Sequence, residues 1–579
     1  DILAPDGPLA EALDGFQARA EQQAMAAEVE RVLAEQGTLV AEAGTGTGKT
    51  FAYLVPVLLS GRKVLVSTGT KNLQDQLYHR DLPLLRKALG ADFRTALLKG
   101  RANYLCLHRM ERSHQRRHRL APETRDQLDH VRKWARTTTS GDRAELAALP
   151  EDAAVWPRVT STSDNCLGGD CDYYEDCHLI RARRRAQEAD VVVVNHHLFC
   201  ADLALKSEGV ADLLPRADAV VFDEAHQLPD AAGRFFGTSV SSYGARELAR
   251  DSREEFQQEA GDDPQVAQAA EAVERRADAW RAALGEGDRR GTWAEARASE
   301  GIAAATDHLR AAVETLRSVL DLHRERGKGL ARCFERARDL LGRLDFLREA
   351  GDPEYVFWFE TRGKGAFVHA TPLEVAGPFQ EATGGPGSQG WVFTSATLAV
   401  GESFEHFCAK LGLDEDTVTR QWPSSFHFDE QARLFLPPGL PEPSHPEHTD
   451  RLLDAALPVA EAAGGGAFFL FTSHRALNRA AERLRRETRF PLLVQGEMPR
   501  DTLIQRFRAL GDALLLGTGS FWEGVDVRGE ALKVVVIDKL PFPSPGDPVI
   551  EARDRYLKEQ GHQPFPTEHL PTAVLTLKQ

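Results

Sequence analysis

The stretch TLVAEAGTGTGKT at 38–50 constrains this chain more than any other. Leu39, Val40 and Ala41 read as a short buried strand, Gly44, Gly46 and Gly48 as a turn, and the apolar residues after Thr50 as a helix. Strand, glycine turn, Lys-Thr and helix is the order of a phosphate-binding loop. Glycines let backbone amides approach an anion with no Cβ in the way, and the helix start adds partial positive charge. Ala43 stands where the usual pattern begins with glycine. The expected ATP site comprises Ala43, Gly44, Thr45, Gly46, Thr47, Gly48, Lys49 and Thr50. Lys49 would reach the β- and γ-phosphates, and Thr50 would ligate Mg2+. Just upstream, Arg19 and Gln22 lie in a helix expected over 14–36. A glutamine offers a donor and an acceptor, which suits the edge of adenine.

Length alone, 579 residues, suggests about four domains. With 42% hydrophobic and 27% charged residues the composition is that of a globular chain with ample core. No apolar run approaches the roughly 18 residues of a membrane span, and no targeting segment is visible, so a cytoplasmic protein without membrane partners is expected. A net charge of -16 argues against binding polyanions over the whole surface. It leaves room for a local basic groove.

Several apolar runs end in polar residues that suit chemistry. Residues 63–68 form a strand that runs into Gly69, Thr70 and Asn72, which can face a nucleic-acid phosphate or cap the following helix. Residues 93–99 and the VVVV run at 191–194 are further strands, the latter fit for burial on both faces of a parallel sheet. His196 and His197 follow it and read as a satisfied turn. The strand at 219–222 ends in Asp223, Glu224, Ala225 and His226. An aspartate at a strand end beside a phosphate loop holds Mg2+, and the adjacent glutamate is placed to orient or deprotonate water. His226 would couple that site to another. The catalytic set expected is therefore Lys49, Asp223, Glu224 and His226.

Residues 100–188 look like an insert, rich in His and Arg, with Cys106, Cys166, Cys171 and Cys177. A disulfide scaffold is unexpected in so large a chain, so the cluster points to a metal. Four thiolates suit zinc or an iron–sulfur cluster alike. Residues 236–350 lack strand signals and carry helical spacing, which predicts a second, helical insert. A β-hairpin follows at 355–369, its basic tip reading as a plain turn, and then a strand at 391–397. Strands at 467–473, 491–496, 513–517 and 533–538, separated by helices, form a second α/β unit without a phosphate loop.

Taken in order, AEAGTGTGKT, STGTKNLQDQL, the cysteine set, VVNHHLF, FDEAHQLPD, FTSATL, FLFTSH, SFWEGVDVRG and IDKLPFPSPGDP resemble a superfamily 2 DNA helicase. The likeness is to the iron–sulfur branch typified by XPD and DinG, and within it to the bacterial YoaA type. It implies an α/β fold of two RecA-like motor domains, with an iron–sulfur cluster insert and a helical arch insert in the first. The corresponding division is motor domain 1 at 1–98, 190–235 and 365–398, the cluster domain at 99–189, the arch at 236–364, and motor domain 2 at 399–579, truncated at its C-terminal end. The resemblance further implies ATP, Mg2+ and a [4Fe-4S] cluster held by Cys106, Cys166, Cys171 and Cys177. It places Arg101, Arg109 and Arg181 along the path of single-stranded DNA, and Glu523, Gly524 and Asp526 where nucleotide state is coupled to grip on DNA. The implied activity is ATP-dependent 5′-to-3′ unwinding of forked duplex DNA in repair or replication, with a replication or repair protein as a further partner.

Rival readings are an RNA-directed ATPase and an ATP-binding adaptor for such a protein. The family's sixth motif runs from a glutamine into glycines and two arginines, and the chain stops at Gln579. Such arginines contribute about 10³–10⁵ in rate, so a chain ending there is expected to bind ATP and hydrolyse it poorly.

Overall fold

The protein is described here by a computed structural model covering residues 2–579, apart from 14, 147, 208–212, 260, 262, 385–388, 523, 524, 526 and 528. Fifteen strands are found among the described residues: β1 (Thr38–Ala43), β2 (Val64–Thr68), β3 (Thr95–Leu97), β4 (Val191–Asn195), β5 (Ala219–Asp223), β6 (Thr238–Ser241), β7 (Arg289–Thr292), β8 (Tyr355–Arg362), β9 (Gly365–Pro372), β10 (Gly390–Ser395), β11 (Val418–Trp422), β12 (Ala467–Leu470), β13 (Leu492–Val494), β14 (Leu514–Gly517) and β15 (Val534–Ile537).

The first sheet has the order β11-β1-β10-β5-β2-β4-β3, and all its pairings are parallel. Side chains alternate along each strand, so neighbouring residues pack on opposite faces. Val40, Val192, Val194, Phe222 and Phe393 enter one core, while Leu39, Val191, Val193, Val221 and Val392 enter the other. Helices therefore cover both faces, as near-continuous apolar strands require. A second parallel sheet, β13-β14-β12-β15, is likewise split between two cores, with Phe469 in one and Phe468 in the other. These two parallel units are the two RecA-like domains of an α/β fold.

Between β3 and β4 the chain forms short helices around their own core of Met110, Leu128, Val131, Val155 and Trp156. Between β5 and β10 lie four long helices, Ser242–Glu259, Pro264–Ala283, Glu300–His323 and Lys328–Glu349, sharing one core with an antiparallel sheet β6-β9-β8-β7. No helix among the described residues is long and apolar enough to cross a membrane.

One expectation is corrected, and two pairings bear on where the domains divide. Residues 236–350 do contain strands, β6 (TSVS) and β7 (RRGT), each only four residues with Val240 the one apolar side chain, too short to show apolar alternation. The hairpin β8–β9 pairs in register from Tyr355↔Pro372 to Arg362↔Gly365, so a boundary at 364/365 would cut one structural unit. β11 lies at the edge of the first sheet beside β1, which carries that sheet to residue 422 rather than 398.

Candidate functional site

The phosphate loop spans Gly44–Gly48, between the last residue of β1 and a helix that starts at Lys49. Thr47 donates its hydroxyl to the Gly44 carbonyl at 2.9 Å. Gly48 has φ 78°, a left-handed conformation that suits glycine, and a Cβ there would lie 2.3 Å from Gln22 Nε2. Gln22 is buried and donates through that nitrogen to the Gly48 carbonyl at 3.0 Å. Its Oε1 is buried and has no partner. Arg19 is half-buried at the start of the Ala20–Glu35 helix.

A strap that the sequence reading did not register crosses the loop. Gly44 N donates to the Trp422 carbonyl at 3.1 Å, and Ser424 Oγ donates to the Thr45 carbonyl at 2.7 Å. A Cβ on Gly44 would meet the Ser424 amide at 2.6 Å.

Asp223 ends β5, in register with Thr394 of β10. Its Oδ2 accepts from the Tyr53 hydroxyl at 3.2 Å. Tyr53 sits one turn beyond Thr50 on the helix after the loop, so the loop and the carboxylate are neighbours. Glu224 has φ 56° and ψ 46°. The other non-glycine residues with positive φ among the described residues, Gln36 and Ala350, merely end helices. Left-handed backbone in a side-chain-bearing residue persists where neighbours hold it. His196 is one such neighbour: its Nδ1 is 2.8 Å from Ser67 Oγ and its Nε2 is 3.3 Å from the Glu224 carbonyl. Burial pushes His196 down to about 4, so the ring is neutral, with Nε2–H donating to the carbonyl and Ser67 donating to Nδ1. What reads in the sequence as a satisfied turn is thus a brace on the glutamate.

The Glu224 carboxylate accepts from Ser395 Oγ at 3.2 Å and lies 3.4 Å from His226 Nδ1. His226 Nδ1 is in turn 2.8 Å from Ser395 Oγ. Gln579 Nε2 donates to Glu224 at 3.4 Å, and Thr397 Oγ1 donates to Gln579 Oε1 at 2.6 Å. Burial and the charge of Glu224 raise Asp223, while Lys49 opposes the rise. Against the cost of burial, the hydrogen bond with His226 and the charge of Lys49 hold Glu224 low. The buried Asp223 and the half-buried Glu224 are thus adjacent carboxylates offset by the charge of Lys49, an excess of negative charge that suits a divalent cation. Lys49, Asp223, Glu224 and His226 are brought together. Glu523 and Asp526 lie outside the described residues. Tyr53, His196, Ser395, Thr397 and Gln579 were not foreseen in this site. The sequence signals for them are that His196, Ser395 and Thr397 lie in or beside strand-end motifs, that Tyr53 follows the phosphate loop, and that Gln579 stands where the sixth motif begins.

Cys106, Cys166, Cys171 and Cys177 line one cavity of 210 Å³. Arg101 donates to Cys166 Sγ at 2.8 Å, and the Gly168 amide donates to the same sulfur at 3.4 Å. Burial pushes the Cys106 thiol up to about 11 and also raises Cys171. Among the described residues no three His, Cys, Asp or Glu side chains stand close enough to hold a single metal ion. The three arginines expected along a DNA path all have partners within the chain. Arg101 bonds Cys166, Arg109 lies 3.6 Å from Asp251, and Arg181 pairs with Asp176 at 2.5 Å.

Residues 19–122 match a family model described as DEAD/DEAH box helicase, and residues 456–579 match one described as helicase C-terminal domain. The chain is 44% identical over 580 residues to the ATP-dependent DNA helicase YoaA of Escherichia coli (strain K12), covering 100% of this chain and 91% of that protein. It is 33% identical over 614 residues to the ATP-dependent helicase DinG of Mycobacterium tuberculosis (strain ATCC 25177 / H37Ra), covering 98% of this chain and 88% of that protein. Its fold is similar to a solved structure of S. tokodaii Xpd4, with a TM-score of 0.54 over 97% of this chain and 91% of that one, at 13% identity.

Proposed function

The chain belongs to the family of ATP-dependent DNA helicases that includes YoaA and DinG, in which ATP hydrolysis is coupled to DNA unwinding, and on that footing we propose how its own residues run the motor. ATP is held between the two parallel-sheet units, and the cycle moves the protein 5′ to 3′ along single-stranded DNA into a forked duplex, in repair or replication. One observation carries this reading. Tyr53, on the phosphate-loop helix, touches Asp223, while Gln579, from the second unit, touches Glu224. Nucleotide bound on the loop would thus sit where closure of the units is felt.

Each residue then has a task. The amides of Gly44–Gly48 and the Lys49 ammonium bind the phosphates, and Gln22 Oε1, buried and unpaired, accepts from the adenine amino group. Mg2+ would supply positive charge to the phosphates, and Thr50 and Asp223 would hold it. Glu224 orients the attacking water and takes up its proton. Ser395 and His226 hold that carboxylate, and His196 holds its carbonyl. Alternating closure and reopening of the cleft would shift the grip on the strand. Glu523 and Asp526 would relay nucleotide state to that grip.

The division into domains follows the cores. Motor domain 1 takes 1–98, 190–235 and 373–422, the cysteine insert 99–189, the arch 236–372, and motor domain 2 the remainder. The cysteine insert would hold a [4Fe-4S] cluster. Its four cysteines line one cavity, which supports a shared metal group, and the family resemblance favours an iron–sulfur cluster over zinc. A cluster there supplies a rigid cross-link between distant loops and a redox centre. The Arg101 guanidinium and the Gly168 amide would stabilise the charge on Cys166.

The test compares the full-length protein with its Lys49→Ala variant on forks bearing a 5′ or a 3′ single-stranded tail, and on matched RNA. The reading requires ATP turnover stimulated by DNA, unwinding from the 5′ tail only, and loss of both in Lys49→Ala. Unwinding by Lys49→Ala would remove the site assignment, and unwinding from the 3′ tail would remove the polarity. Equal stimulation by RNA would favour the RNA-directed reading.

A further inference from the structure

Glu42 belongs to the strand that launches the phosphate loop. It lies on β1 one residue before Ala43 and is 4% exposed. Its register partners are Ser395 on β10 and Gln421 on β11. Both carboxylate oxygens are fully engaged. Oε2 accepts from the Leu398 and Ala399 amides at 2.6 and 2.7 Å. Oε1 accepts from Gln421 Nε2 at 2.8 Å and from Lys578 Nζ at 2.8 Å. Lys578 also donates to the Ala399 carbonyl at 2.9 Å.

Lys578 comes from the second unit, at the end of the helix Leu570–Lys578. The residue after it is Gln579, which bonds both Thr397 and Glu224. The contacts therefore close a circuit: Glu42, Lys578, Gln579, Thr397, Leu398 and back to Glu42. One side of the circuit belongs to the first unit, and the other belongs to the second. The turn 395–399 lies between them and carries the serine that holds Glu224.

We propose that Glu42 is a positioning residue that couples closure of the cleft to the alignment of Glu224. When Lys578 arrives, the carboxylate gains its cationic partner and clamps the 395–399 turn through two amides. That turn then presents Ser395 to Glu224 and Thr397 to Gln579. When the units separate, Lys578 leaves, and the clamp on the turn loses its second anchor. Glu42 touches neither nucleotide nor water, and its effect passes through Ser395 and Thr397. The inference rests on the proposed catalytic role of Glu224.

The experiment is a double-mutant cycle in the full chain with E42Q, K578M and the double variant, together with K578R. Three quantities are read: affinity for a fluorescent ATP analogue, kcat for ATP at saturating single-stranded DNA, and thermal melting. Each single variant is expected to lower kcat on the order of tenfold, the effect of one charge-assisted hydrogen bond lost from the reactive geometry. Analogue affinity stays within about twofold, because the phosphate loop itself is intact. The double variant is no worse than the more impaired single, as residues acting as one unit require. K578R, which keeps the charge, recovers most of the rate. Additive losses in the double variant, or a wild-type kcat in K578M, would overturn the inference. Should E42Q melt several degrees lower, K578M against K578R decides alone, since Lys578 is partly exposed. A chain that hydrolyses ATP without needing Lys49 would sink the catalytic reading instead, which is a separate outcome.

Discussion

Substituting Asp251→Asn would unlock the junction between the cysteine insert and the helical insert. Asp251, on the Ser242–Glu259 helix, is 7% exposed. Its carboxylate accepts from Arg336 at 2.8 Å, contacts Arg250 at 3.2 Å and lies 3.6 Å from Arg109, which belongs to the cysteine insert. Around it, Arg112 pairs with Glu255, and Arg116 pairs with Glu254 at 3.1 Å. Asparagine keeps the shape and removes the charge, so three guanidiniums are left facing one another.

Breaking a buried pair by removing one partner costs about 3–5 kcal/mol. Glu247 and Glu255 remain nearby and Arg109 is partly reached by water, so the lower end, about 3 kcal/mol, applies here. That is roughly a hundredfold in the local opening equilibrium. Hydrogen exchange of the segments 107–115 and 242–259 reads it directly.

The sign with pH follows from the same charges. Against burial, Arg109, Arg336 and Arg250 hold Asp251 below the usual carboxylate range. Its contribution is therefore complete above about pH 4, the unfolded value, and fades as pH falls through the lowered folded value. The asparagine variant lacks that acidic loss. An exchange rate within threefold of the parent at neutral pH would refute the argument.

Three further outcomes are expected. Glu224→Gln keeps ATP binding and lowers hydrolysis by about 10²–10⁴, measured in single turnover with a parallel nucleotide-affinity assay. Gly48→Ala forces a left-handed alanine, at about 1–2 kcal/mol, and displaces Gln22 from the loop, so affinity for ATP falls at least about tenfold by fluorescence titration. If the cysteine insert holds the proposed [4Fe-4S] cluster, anaerobically purified protein carries about four irons per chain, and Cys166→Ser lowers that to a small fraction with loss of visible absorption.

The chemistry was legible where backbone and side chain are both specified locally. A phosphate loop needs its glycines within a few residues of each other, and Gly48 at φ 78° against Gln22 shows why. Asp223 and Glu224 were legible because an apolar strand that stops at carboxylates has few other uses. What escaped is the neighbourhood of each group. β11, VTRQW, is an edge strand of mixed polarity, so no alternation marks it. The strap at 422–426 meets the phosphate loop across nearly 380 residues. Glu42 and Lys578 are 536 residues apart, and nothing local in either announces the other.

Those meetings follow from the order of a parallel sheet. In such a sheet every strand delivers its C-terminal end to the same edge, whatever its place in the chain. β1, β10 and β5 stand side by side, so residues 42, 395 and 223 arrive together although they come from three remote stretches. A motif read one strand at a time can name the group that reacts. The strand order is what decides which serine, histidine or lysine holds it. That is why the two strand-end carboxylates stand out in the sequence and their supports, Ser395, His196 and Glu42, do not. The same reasoning says where unforeseen supports belong in a chain of this kind: on the residues that flank the C-terminal ends of adjacent strands, whatever their distance in sequence.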